Sequence, residues 1–257
     1  CMDISNLEWR KYLGDWCYET LFVNCSQIDG VFVDNAWWAF FKDLWTVPVE
    51  KVPSEYGQTW YEDMKGLLQH IKSRIGNKLL IANTGDNADY LDICDGKMSE
   101  RFVHPSWHSS FDFSYNCTLS INALSEVSKK GKYFMAHSGT KLDGTEADYH
   151  KVMLYCLASY LLGYHGDKAT LGWMNIYDSS RGYYHEFDDA KQIGSPINEY
   201  YSIGLVYARD FAEGKVLVNP TTSSYTVDLE SEYKTLDGQT VSNVTLDAHS
   251  GVLLFRL

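Results

Sequence analysis

The chain has 257 residues, 45% of them hydrophobic and 22% charged, with a formal net charge of −12. That length and composition suit a globular protein of one or two domains with a substantial core. The negative balance, with no basic run and no interleaving of aromatic and basic residues, excludes nucleic acid as the expected partner.

Residues 7–22 (LEWRKYLGDWCYETLF) set Leu7, Trp9, Tyr12, Leu13, Trp16 and Leu21 at helical spacing, with Ser5 or Asn6 as N-cap. Gly30-Val31-Phe32-Val33 follows as a short run of β-formers that ends in Asp34-Asn35. An apolar run with a polar tip is the pattern of a buried parallel strand whose end faces a cleft. Residues 56–75 read as a helix ending before Gly76, and Leu79-Leu80-Ile81-Ala82-Asn83 as a second strand of the same kind. A short helix is expected over 88–94, a weaker strand over 96–100, a helix over 119–129 and a strand over 132–137. A long helix over 146–162 and a strand over 169–174 complete the series.

After about Gly204 the pattern changes to short strands, at 216–220, 225–229, 241–246 and 252–255, with Asp237-Gly238 as a hairpin turn. The expected organisation is therefore an α/β portion over 1–203 and a small antiparallel, sandwich-like β domain over 204–257. Alternating strands and helices imply a parallel sheet. No glycine-rich phosphate turn of the G-x-G-x-x-G kind is present, which disfavours a nucleotide-binding doubly wound sheet. A TIM-type (β/α) barrel is favoured, because its sites are built from polar residues at several strand tips. Five strands are too few to close an eight-stranded barrel, so the barrel is expected to be partial. Cys1 is not an initiator and the chain opens in mid-fold, as a piece of a longer protein would.

Aromatic residues make up 15%, including 8 Trp and 19 Tyr. Flat rings stack on the apolar faces of sugars, although large aromatics also fill ordinary cores. Asp34 is the leading candidate for chemistry: the strand before it delivers its carboxylate to the mouth of the strand layer, where it could serve as nucleophile, base or electrostatic partner. Capping of a following helix is the bland alternative. Cleavage between sugars needs a second carboxyl group, and Glu100, at the tip of the 96–100 strand, is the best placed; pairing with Arg101 is its structural alternative. Asp86 and Asp178 are reserves. Asn35, Trp37, Asn83, His137 and Trp173 are candidates to bind hydroxyl-rich substrate, with Asn175, Trp38 and Trp107 behind them.

His104 and His108 bracket Pro105-Ser106-Trp107, but the proline makes a helical metal pair a poor reading, and no metal site or cofactor is expected. The six cysteines show no C-x-x-C spacing, so they could pair as disulfides or lie as buried thiols. Asn24, Asn116 and Asn243 begin N-x-S/T triplets. No apolar run approaches the roughly 20 residues of a membrane span, and no signal peptide opens the chain.

The segment SNLEWRKYLGDW…IDGVFVDN resembles the helix and fourth strand of glycoside-hydrolase-like (β/α)8 barrels, a set that includes the endo-α-1,4-polygalactosaminidase group. The tail ARDFAEGKVLVNPT…VTLDAHSGVLLF resembles the β domain that follows such barrels. The resemblance implies that residues 30–35 are strand four, that strands one to three are absent, and that Asp34 and Glu100 are the acidic residues of strands four and six. It implies a glycoside hydrolase acting on an oligo- or polysaccharide, outside the cell or at its surface. The rival readings are a barrel that binds glycan without cutting it and a structural surface module. An ester hydrolase ranks last, because no G-x-S-x-G elbow is present.

Overall fold

The computed structural model describes residues 3–25, 27–39, 59–87, 89–174 and 182–257. They fold as two compact units, 1–98 and 99–257. In the first unit, α1 (Leu7–Cys17) starts on Asn6, whose side chain accepts from the Glu8 and Trp9 N–H groups. This satisfies two donors that the first turn leaves open. Only part of the expected apolar stripe faces the core, since Leu7 is 71% exposed, Tyr12 58% and Trp16 45%. The helix packs through Leu13, Gly14 and Cys17. Gly14 lies so close to α2 (Trp60–Ile75) that an added Cβ would meet the His70 ring at 2.4 Å. The smallest residue, not the spacing of the largest, selects the contact face, and Arg10 adds an ion pair to Asp63 of α2.

β1 (Gly30–Val33) pairs in parallel with β2 (Leu79–Asn83), and β2 with β3 (Gly96–Ser99). Strand alternation turns Val31, Val33, Leu80 and Ala82 to one face, where they pack on Met64, Leu67, Leu68 and Ile71 of α2. Full burial of a side chain such as Leu68 or Ile71 contributes about 1.5–3 kcal/mol. The opposite face carries Phe32 and leads to Asp34. α2 stops at Gly76, whose φ of 62° closes the helix where a Cβ would strain it. Residues 89–93 are turns, not the expected helix, and Ala88 lies outside the described residues. Tyr90 at φ 59° explains the difference, since a left-handed residue cannot continue a right-handed helix.

The second unit contains α3 (Cys117–Lys129), β4 (Tyr133–Gly139), α4 (Glu146–Gly163) and β5 (Ala169–Met174), with β4 and β5 parallel. α4 opens with a capping box in which Thr145 and Asp148 exchange side-chain and backbone hydrogen bonds. The expected alternation is thus present with a helix before β2, β4 and β5, whereas turns alone join β2 to β3. After α5 (Glu186–Asp189) come β6 (Tyr201–Ile203), β7 (Val206–Phe211), β8 (Gly214–Asn219), β9 (Tyr225–Thr235), β10 (Thr240–Leu246) and β11 (Ser250–Arg256). These six strands form one antiparallel sheet in the order β10-β9-β11-β8-β7-β6. β8 to β11 match the expected strands, whereas β6 and β7 were not expected.

α4 is buried on most of its surface because it lies against β4 on one side and against β8 and β11 on the other. Buried Arg209 of β7 donates to the carbonyls of Leu161, Leu162 and Tyr164 at 2.8–3.0 Å, closing the C-terminal end of α4. Cys17, Cys94, Cys117 and Cys156 are buried free thiols and Cys25 is an exposed one, so the thiol reading holds among the described residues. No helix among them is long and apolar enough to cross a membrane.

Candidate active site

Asp34 stands exposed in the turn that ends β1, and two amide groups hold its carboxylate. Asn83, at the tip of β2, donates from Nδ2 to Oδ1 at 2.9 Å, and Asn35 donates from Nδ2 to Oδ2 at 3.1 Å. The parallel register sets Val33 opposite Ala82, so the next residue on each strand, Asp34 and Asn83, meet at the same level. Asn35 adopts φ 53°, a left-handed conformation that asparagine tolerates better than most residues. The turn therefore sends the chain away from the strand while the Asn35 amide reaches back to its neighbour. Asn83 is fully buried, and its Oδ1 has no hydrogen-bond partner among the described residues.

The segment after Asp34 is anchored through its backbone. Trp60 donates from Nε1 to the Trp37 carbonyl at 2.9 Å, and the Tyr90 hydroxyl donates to the same oxygen at 3.3 Å. Burial pushes the Tyr90 phenol well above its ordinary range, so it stays a donor. Sequence reasoning missed both anchors, because Trp60 and Tyr90 enter it only as members of the helices expected over 56–75 and 88–94. Trp37 is half-buried, and the Trp38 ring reaches the loop after β2, with Cζ3 3.8 Å from the Cβ position of Gly85. Thr84 and Lys97 both donate to the Asn87 carbonyl, which holds the 84–87 loop closed beside Asn83. Asp86 in that loop is buried.

In the second unit, Glu100 occupies the turn immediately after β3 and is half-buried, as is Arg101. His137 is half-buried on β4, and burial lowers its pKa, keeping the imidazole neutral and able to both donate and accept at neutral pH. β4 and β5 pair with His137 opposite Gly172 and Ser138 opposite Trp173. Paired residues share a face, so Trp173 belongs with buried Phe134, Ala136 and Ser138, away from His137. Its ring packs edge-on against Tyr184 at 6.3 Å. His137 and Trp173 therefore stand on opposite faces of the strand pair. Asn175 and Asp178 lie outside the described residues. Among those described, no group of three or more His, Cys, Asp or Glu residues could hold a metal ion.

Over 98% of its length the chain is similar to the debranching enzyme of Nostoc punctiforme, at 16% identity and a TM-score of 0.43, covering 61% of that chain. It is similar over 99% of its length to the type III pullulan hydrolase from Thermococcus kodakarensis, at 15% identity and a TM-score of 0.47, covering 49% of that chain. The glycoside hydrolase domain of PelA from Pseudomonas aeruginosa matches 67% of the chain at 13% identity and a TM-score of 0.41, with 62% of that domain covered. The chain thus spans about half to three-fifths of these structures, and likenesses of this degree carry no argument about mechanism. No curated protein matches it. The model of one sequence family matches residues 1–215, most of the 257, and includes both Asp34 and Glu100; the chain belongs to hypothetical glycosyl hydrolase family 15.

Proposed function

We propose that the chain carries the carboxylate machinery of a glycoside hydrolase that cleaves an oligo- or polysaccharide, with Asp34 and Glu100 as the working pair. One carboxyl group protonates the glycosidic oxygen as the bond to the anomeric carbon breaks. The other attacks that carbon directly or takes a proton from the water that does so. Either role requires a carboxylate of fixed orientation at a strand tip. The observation that carries the reading is the hydrogen bond from buried Asn83 to exposed Asp34, an amide spent on orienting a carboxylate that water could otherwise solvate. Asn35 steadies the second oxygen, and neutral His137 suits a hydroxyl-bearing substrate.

The test is release of new reducing ends from a panel of polysaccharides by the chain and by its Asp34→Asn and Glu100→Gln forms. Hydrolysis that both substitutions remove supports the pair. Hydrolysis that survives Glu100→Gln sinks Glu100 as partner, and binding of glycan with no hydrolysis by the unaltered chain favours a non-catalytic barrel.

A further inference from the structure

Trp107 lies on a loop built over the C-terminal end of β4, the end at which barrel enzymes carry their sites. The loop is not free to choose its position. Phe102 donates from its N–H to the His137 carbonyl at 3.2 Å, Gly139 to the His104 carbonyl at 3.1 Å, and Lys141 to the His108 carbonyl at 2.8 Å. The His104 ring, fully buried, donates from Nδ1 to the Gly139 carbonyl at 2.7 Å. Farther along, Ser110 gives both its N–H and its hydroxyl to Asp143 at 2.9 and 2.8 Å. Gly139 itself is pressed from two sides: an added Cβ would lie 1.9 Å from the Met174 carbonyl and 2.7 Å from the Ser106 Cβ. Ser106 thus seats the loop on the residue two places along β4 from His137, on the face His137 shares.

Against this fixed backbone, Trp107 is 37% exposed although its neighbours Pro105 and Ser106 are buried. With more than a third of its surface in water, Trp107 presents apolar area on a loop whose pinned backbone cannot withdraw it. His108 packs edge-on to the indole at 6.4 Å, and its Nδ1 lies 3.3 Å from the Asp112 carboxylate. An exposed ring edged by an imidazole, which in turn stands beside the Asp112 carboxylate, offers an apolar face next to hydrogen-bonding groups.

We propose that Trp107 is an aromatic platform on which a pyranose ring of the glycan stacks, with hydroxyls directed to His108 and Asp112. The inference rests on the carbohydrate reading above but not on Asp34 or Glu100 as the catalytic pair. The apolar C–H face of the sugar covers the indole, and the pins at His104 and Ser110 hold the platform ready, so little ordering remains to be done on binding.

The experiment is native gel electrophoresis of the full chain through gels containing soluble starch, pullulan or a mixed-linkage β-glucan. The unaltered chain is expected to be retarded by at least one polymer. Trp107→Leu, which keeps apolar bulk without a flat face, should weaken that retardation about tenfold, whereas Trp107→Phe should keep most of it. Trp107→Gln gives the same loss with a side chain suited to an exposed site, and thermal midpoints of all three should match the parent. Retardation of the leucine and glutamine forms equal to the parent overturns the proposal, as does a parent that none of the three polymers retards. Binding that depends on Trp107 in a chain that cuts none of the polymers supports the platform and overturns the hydrolase reading instead.

Discussion

The Asn83 amide donates to Asp34 Oδ1 at 2.9 Å, joining the tips of two adjacent parallel strands through one hydrogen bond. Asn83 is fully buried while Asp34 is exposed, so the fixed partner orients the accessible one. If Asp34 is the working carboxylate proposed above, Asn83→Ala should lower kcat about tenfold with a smaller change in KM, because the loss is one of orientation rather than of substrate contact. Steady-state kinetics on any polysaccharide the chain cuts will show this, and an unchanged kcat would refute the orienting role.

Gly139 is fixed by backbone and not by flexible side chains. The Met174 carbonyl stands 1.9 Å from where a Cβ would be, and strand pairing leaves that oxygen nowhere to retreat. Gly139→Ala should therefore cost about 3 kcal/mol in urea unfolding. A cost under about 1 kcal/mol would show that β4 and β5 separate more readily than their register implies.

Buried Lys215 of β8 lies 2.9 Å from Asp210 of β7. Burial raises the Asp210 pKa, but hydrogen bonds from Lys215 and Asn198 outweigh it, and the net shift is downward from 3.8. A carboxylate held lower in the folded state stabilises the fold above its unfolded value and loses that contribution as pH falls through the folded value. The thermal midpoint should therefore drop as pH is lowered through and below about 4. Asp210→Asn should start from a lower midpoint at neutral pH and show a shallower acid limb. An acid limb as steep in the variant as in the parent would assign the loss to other carboxylates.

Much of the fold was legible because apolar runs of four to six residues with polar tips have few other uses. β1, β2 and β5 fall where the sequence places them, and so do α3 and α4 to within two residues at either end. Periodicity did not reveal which face of α1 turns inward. Leu7, Tyr12 and Trp16 have helical spacing, yet close approach at Gly14 decides the contact. β7 carries Arg209 and Asp210, charges that break its apolar run, and the carbonyls at the end of α4 are what account for the buried arginine. At the site, Asp34 and Asn83 were legible from their strand tips, whereas the Tyr90 anchor on Trp37 depends on a left-handed turn that no local pattern announced. Trp173 looked equivalent to His137 from its place near a strand end, and only the register separates their faces.

The most direct measurement compares initial rates of reducing-end release by the parent and Asp34→Asn at equal concentration, with thermal midpoints taken on the same samples. The asparagine can still accept from Asn83, so the fold and the hydrogen bond at Oδ1 should persist, and the midpoint should stay close to the parent's. Loss of the carboxylate charge should lower the rate by about a hundredfold or more. A variant that folds and hydrolyses at the parent rate would contradict Asp34 as the centre of the chemistry.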